Sequence, residues 1–172
     1  MRRTVIGVMG PGAASVALER AAFELGRLIA REGWVLLTGG RNCGVMDAAG
    51  RGAKAIDGSI TVGILPDSYH ADGISDAVDI AIFTAMGDAR NAINVQSSEV
   101  VVACGAATPG TLSEVALALK AGRHVVVLGA EPTGREYLSL CGGDRIHFAS
   151  DPAEAVAEVR RLLAPSQAGR IS

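Results

Sequence analysis

Short apolar runs alternate along the chain with longer segments whose apolar residues recur every three or four positions, a pattern that predicts strands alternating with helices. Residues 4–9, 34–37, 61–65, 80–84, 100–104 and 124–128 read as strands, with 146–148 as a short last one. The segment 16–32 reads as a helix because Leu18, Ala22, Leu25 and Ile29 fall at steps of four, three and four. Gly33 ends that helix as a left-handed cap. Helices follow at 45–56, 88–98 and 111–121, the last stopped by Gly122. Asp151-Pro152-Ala153-Glu154 opens another, with Asp as N-cap, Pro at the first position and Glu at the third, and it runs to about Leu163. Residues 66–79 read as a long polar loop, and 129–145 as irregular with one helical turn near 135–140.

Strands alternating with helices imply right-handed crossovers and parallel pairing. The expected fold class is α/β, a three-layer Rossmann-like parallel sheet with helices on both faces. Residues 1–165 are expected to form one domain and 166–172 a loose C-terminal tail. Composition sharpens this picture. Of 172 residues 49% are hydrophobic but only 3% aromatic, so the core is built from Val, Ile, Leu and Ala. The 22 glycines show no three-residue period, which excludes collagen. Net charge is −2 with Lys and Arg scattered, which argues against nucleic acid as a partner while leaving room for one small anion. Cys43, Cys104 and Cys141 are isolated and lack CxxC spacing, as expected in a reducing compartment. The first apolar stretch is interrupted at Gly7, Gly10, Pro11 and Gly12, too soon for a signal sequence, and no segment is long enough to span a membrane. A cytoplasmic location is the expectation. His70, His124 and His147 have no ligand spacing around them, so no metal site is expected.

Candidate chemistry lies in the glycine-rich loops that follow strands, since ligands of parallel sheets bind beyond the carboxyl ends. Gly7-Val8-Met9-Gly10-Pro11-Gly12 lets backbone N–H groups approach a phosphate, though a tight strand-to-helix turn explains the glycines equally well. No Asp or Glu ends the second strand to hold a ribose, which disfavours NAD. Thr38-Gly39-Gly40-Arg41-Asn42-Cys43-Gly44 offers a second N–H cradle, and Arg41 a charge-assisted phosphate contact. In Thr108-Pro109-Gly110-Thr111-Leu112-Ser113-Glu114, Thr111 and Glu114 have capping-box spacing; Glu114 also stands one turn into a helix, where a carboxylate can face a ligand. Arg90 sits early on a helix of small and polar residues, and a surface position is as good an expectation for it as a ligand contact.

Four segments in order resemble the LOG family of Rossmann-like proteins, formerly labelled lysine decarboxylase-like and related to DprA/Smf-like and molybdenum-cofactor carrier proteins. They are Ile6-Gly7-Val8-Met9-Gly10-Pro11-Gly12, Gly39-Gly40-Arg41-Asn42-Cys43-Gly44-Val45-Met46-Asp47-Ala48, Gly87-Asp88-Ala89-Arg90-Asn91 and Pro109-Gly110-Thr111-Leu112-Ser113-Glu114. The resemblance implies a ligand site in which Gly10, Gly12, Gly39, Gly40, Arg41, Gly44, Thr108, Gly110 and Thr111 hold a phosphorylated molecule. Arg90 and Glu114 match the catalytic pair of LOG-type phosphoribohydrolases. Such enzymes cleave a nucleoside 5′-monophosphate to free base and ribose 5-phosphate with no metal or redox cofactor required.

The chain departs from that family at Ala106-Ala107-Thr108, where the enzymes have Pro-Gly-Gly, and at Asn91, where they have Lys. Pro109 brings no N–H, and Thr108 before it is driven to an extended conformation. The departures favour binding of a nucleotide or a molybdenum cofactor-type pterin by a carrier or sensor, with the phosphoribohydrolase as the alternative. A DNA-processing role of the DprA kind is the least favoured, for lack of a basic patch. The resemblance also implies a homo-oligomer, dimer or tetramer.

Overall fold

The computed structural model describes residues 2–68, 73–106 and 108–164; the expected tail 166–172, His70 and Ala107 lie outside them. The strands are β1 (Val5–Met9), β2 (Val35–Thr38), β3 (Thr61–Leu65), β4 (Ile80–Phe83), β5 (Val100–Cys104), β6 (His124–Leu128) and β7 (Ile146–Ala149). They form one seven-stranded sheet in the order β4-β3-β2-β1-β5-β6-β7, and every neighbouring pair is parallel. The chain winds outward from β1 to β4, then crosses back to lay β5 on the other side of β1. The β1/β5 junction is therefore the topological switch point, where doubly wound sheets bind ligands.

Among the described residues six helices cover the sheet: α1 (Val16–Arg31), α2 (Gly44–Lys54), α3 (Asn91–Gln96), α4 (Pro109–Lys120), α5 (Pro132–Gly142) and α6 (Pro152–Leu163). Strand alternation assigns side chains to the two faces. Val100, Val102 and Cys104 of β5 pack with α1, α2 and α6, whereas Val101 and Ala103 pack with α3, α4 and α5. The fold is thus the three-layer α/β arrangement the alternating pattern predicts. α1 and α2 pack at close range because Gly26 and Gly52 carry no Cβ; one built there would strike the backbone of Ala49 and of Phe23 respectively.

The structure moves several element boundaries. The segment 88–98 is not one helix: a 3-10 turn, Gly87–Arg90, leads into the short α3. Residues 129–145 hold an 11-residue helix, α5, with Pro132 in its first turn, rather than a single turn. α4 begins at Pro109, two residues earlier than expected.

Candidate functional site

At the switch point the loops after β1, β2 and β5 and the turn before α3 enclose a cleft of about 320 Å³. Gly10 and Gly12, Gly39, Arg90, and Thr108, Gly110, Thr111 and Glu114 all line it, so four segments far apart in sequence meet there. Arg41, Gly40 and Gly44 are not among its lining residues.

Arg90 is buried, with 9% of its surface exposed, and so is Glu114, at 7%. The helix packing of α3 against α4 brings them together, Arg90 Nη1 lying 3.6 Å from Glu114 Oε1. That is ion-pair range but too long for a hydrogen bond. Arg90 Nε and Nη1 have no hydrogen-bond partner, although both are buried. Asn94, fully buried one helical turn beyond Arg90, donates from Nδ2 to Glu114 Oε1 at 3.2 Å. Burial pushes the Glu114 carboxyl above its ordinary value, against the opposing pull of Asn94 and then Arg90. Burial also pulls Arg90 down, while Glu114 opposes and Arg41 adds to the effect. The guanidinium stays charged regardless. Gly39 makes room for it, since a Cβ there would stand 2.7 Å from Arg90 Nη2.

Thr108 is extended (φ −105°, ψ 148°), as its place before proline requires, and it caps α4 by accepting from Thr111 N–H at 3.4 Å. The cap is therefore Thr108, not Thr111, and Glu114 is free of a capping role. With Pro109 in the first position the missing N–H costs nothing, because the leading N–H groups of a helix have no intrahelical acceptor. With Thr111 N–H taken by the cap, the Gly110 N–H leads the helix at the cleft wall, where the helix dipole favours an anion.

The second glycine loop serves mostly architecture. Val45 N–H at the start of α2 donates to Pro11 O at 3.1 Å, so this helix start is closed by the first loop. Gly44 (φ +53°) sits against the Pro11 and Gly12 backbone, with no space for a side chain. Gly10 packs on Val45, and Gly40 (φ +73°) lies over Gly63. Arg41 points into a neighbouring cavity and lies 3.9 Å from Asp67.

Sequence reasoning gave Asn94 no role. The signal was available: four residues from Arg90 puts both on one helix face. Asp88 and Asn91 also line the cleft. Among the described residues no group of three or more His, Cys, Asp or Glu is placed to hold a metal, and no helix is long and apolar enough to cross a membrane.

A doubly wound parallel sheet with a cleft at its switch point defines a Rossmann-like fold. The chain belongs to the SLOG cluster4 family, whose model matches residues 3–156. Among solved structures, the molybdenum cofactor binding protein of the phototrophic bacterium Rippkaea orientalis is 48% identical, over 94% of this chain and 98% of that one, with a TM-score of 0.90. The molybdenum cofactor carrier protein of Chlamydomonas reinhardtii is also 48% identical, over 95% of this chain and 100% of that one, with a TM-score of 0.89. An uncharacterized protein of Archaeoglobus fulgidus is 44% identical over 128 residues, which is 74% of this chain and 82% of that protein.

Proposed function

We propose that this protein binds a phosphorylated small molecule, a molybdenum cofactor-type pterin, in the switch-point cleft, and carries it without chemical change. The observation that carries the reading is Arg90: a buried cation whose Nε and Nη1 have no hydrogen-bond partner, facing the cleft. Leaving such donors unpaired costs about 1–3 kcal/mol each, which a bound anion recovers. A phosphate is held there by Arg90, by the Gly110 N–H group, and by the backbone of the first loop. Two relatives at 48% identity are a molybdenum cofactor binding and a molybdenum cofactor carrier protein, which supports the choice of ligand. The test is to mix the protein with molybdenum cofactor released anoxically from a molybdoenzyme, separate by gel filtration and measure molybdenum by mass spectrometry. Co-elution that is lost in Arg90→Gln is expected; no co-elution with the unmodified chain overturns the reading.

Glu114 favours a second reading, the phosphoribohydrolase. A buried carboxyl beside a cation at the mouth of a phosphate site suits stabilisation of the positive charge that glycosidic cleavage builds on ribose. Incubation with AMP and an N6-substituted AMP, with Glu114→Gln as control, decides: glutamate-dependent release of free base supports the enzyme, and intact nucleotides reject it. The reading includes a homo-oligomer, for which exposed Leu112, Tyr137 and Leu140 on α4 and α5 offer an apolar surface; sedimentation velocity measures it.

A further inference from the structure

A second cavity, of about 470 Å³, lies over the carboxyl ends of β3 and β4 beside the first. Leu65 from the end of β3, Phe83 from the end of β4, and Ile74 give it apolar walls. Arg41, Asn42 and Asp67 give it a polar rim. The two cavities adjoin: Cys43 lines the second, and its Sγ is 3.2 Å from where a Cβ on Gly12, which lines the first, would stand. β3 is two strands from β1, so the cavity lies ~10 Å along the sheet edge from the cleft. That is about the reach from a phosphate to the ring of a compact phosphorylated heterocycle.

Among the described residues, two stretches of the cavity wall are held by backbone hydrogen bonds. Asn42 N–H donates to Gly73 O and Ser75 N–H to Gly40 O, each at 2.9 Å, and Ser75 Oγ donates to Asp47 Oδ1 at 2.7 Å. On the other side Thr84 N–H donates to Leu65 O at 3.1 Å, Ala85 N–H to Asp67 O at 3.2 Å and Gly87 N–H to Pro66 O at 3.0 Å. That second strap runs on directly into Arg90, so Asp67 and Arg90 are held in one framework. Asp67 Oδ2 is 3.9 Å from Arg41 Nη2, beyond a hydrogen bond, and the two side chains are 69% and 50% exposed. Both keep their hydrogen-bonding capacity for a ligand.

Resting on the reading that a phosphate occupies the first cleft, we propose that this second cavity takes the ligand's ring and that Asp67 reads a 2-amino-4-oxo-pyrimidine edge, the pattern shared by pterins and guanine. On that edge an exocyclic amine and a ring N–H stand side by side as donors, and an ionised carboxylate, which only accepts, pairs with both. Arg41 on the same rim donates to the oxo oxygen. Adenine places a bare ring nitrogen beside its amine, which a carboxylate repels. Leu65, Ile74 and Phe83 pack on the ring faces whatever the base, so discrimination falls to Asp67.

The test is titration calorimetry of the whole protein with ribose 5-phosphate, GMP and AMP, repeated on Asp67→Asn and Arg90→Gln. GMP is expected to bind at least about tenfold tighter than AMP, and Asp67→Asn to remove that preference while leaving ribose 5-phosphate unchanged. Equal affinity for GMP and AMP, or a preference that survives in Asp67→Asn, overturns the proposal even if ribose 5-phosphate binds. Failure of ribose 5-phosphate to bind, or binding indifferent to Arg90→Gln, overturns instead the phosphate reading beneath it.

Discussion

Arg90 and Glu114 face each other across 3.6 Å at the cleft, both buried, without a hydrogen bond between them. The gap leaves the guanidinium only partly compensated. Removing one partner alone strands the other, so the pair is testable by a double-mutant cycle. The effect of changing both Arg90→Gln and Glu114→Gln is expected to differ from the sum of the two single changes by about 0.5–3 kcal/mol. Urea denaturation of the four proteins measures it. Additive effects would mean the two residues are not coupled.

Glu114 also sets a pH dependence. Its folded pKa is raised above the ordinary value of 4.5, first by burial. The folded state therefore holds the proton more tightly than the unfolded one, and stability falls as pH rises from about 4.5 up through the folded pKa. The stability of Glu114→Gln relative to the parent is expected to grow with pH across that window. An anion at Arg90 repels the carboxylate, so phosphate binding should take up a proton and strengthen as pH falls. Calorimetry in two buffers of different ionisation enthalpy reads the proton directly.

A second titration lies on the opposite edge. His147 contacts Glu158 through Nδ1 at 2.9 Å and His124 Nδ1 through Nε2 at 3.1 Å, joining β6, β7 and α6. With a neutral His147 donating to Glu158, its Nε2 accepts from His124. Burial lowers the His147 pKa from 6.5, against the raising effect of Glu158, while His124 adds to the lowering. The unfolded state then binds the extra proton, and stability present above pH 6.5 is lost as pH falls through the folded pKa. The urea midpoint is expected to drop over that range, and His147→Gln to flatten the drop.

The sheet was legible because buried parallel strands are continuous apolar runs: Val100–Cys104 and His124–Leu128 were read with their observed bounds. α5 was not legible. Only Leu138 of its 11 residues is buried, while Tyr137 and Leu140 are 61% and 81% exposed, so no apolar period marks it. Of the site, the loops and both charged residues stood out as motifs, but the burial of Arg90 did not. Its own segment is small and polar, and Gly39, Met46 and α4 supply the cover from elsewhere in the chain. Gly40 and Gly44 look like phosphate loops in sequence. In the fold their freedom from a Cβ serves backbone packing, and no local pattern separates those uses.

Ala85 is the one described non-glycine residue with positive φ, at +53°. It lies on the strap between Asp67 and Arg90 and is pinned there by its own N–H bond to Asp67 O. A left-handed conformation costs an L-residue roughly 1–2 kcal/mol, part of which glycine loses again as chain entropy. Ala85→Gly is expected to stabilise the protein by about 0.5–1 kcal/mol, read as a higher urea midpoint at constant slope.

Three glycines separate function from architecture. A Cβ at Gly39 meets the Arg90 guanidinium at 2.7 Å and Met46 Sδ at 2.8 Å, both ends of flexible side chains that can move aside. A Cβ at Gly26 or Gly52 meets the backbone of the neighbouring helix, which moves only if α1 and α2 separate. Gly39→Ala is therefore expected to weaken ribose 5-phosphate binding about tenfold or more, because the displaced guanidinium no longer aims into the cleft, while stability changes by less than about 1 kcal/mol. Gly26→Ala and Gly52→Ala are expected to do the reverse, losing about 1–3 kcal/mol of stability through overpacking with affinity unchanged in the folded fraction. Calorimetry and urea denaturation on all three variants check both halves. Binding that survives Gly39→Ala intact would show that the position of Arg90 does not set the affinity for phosphate.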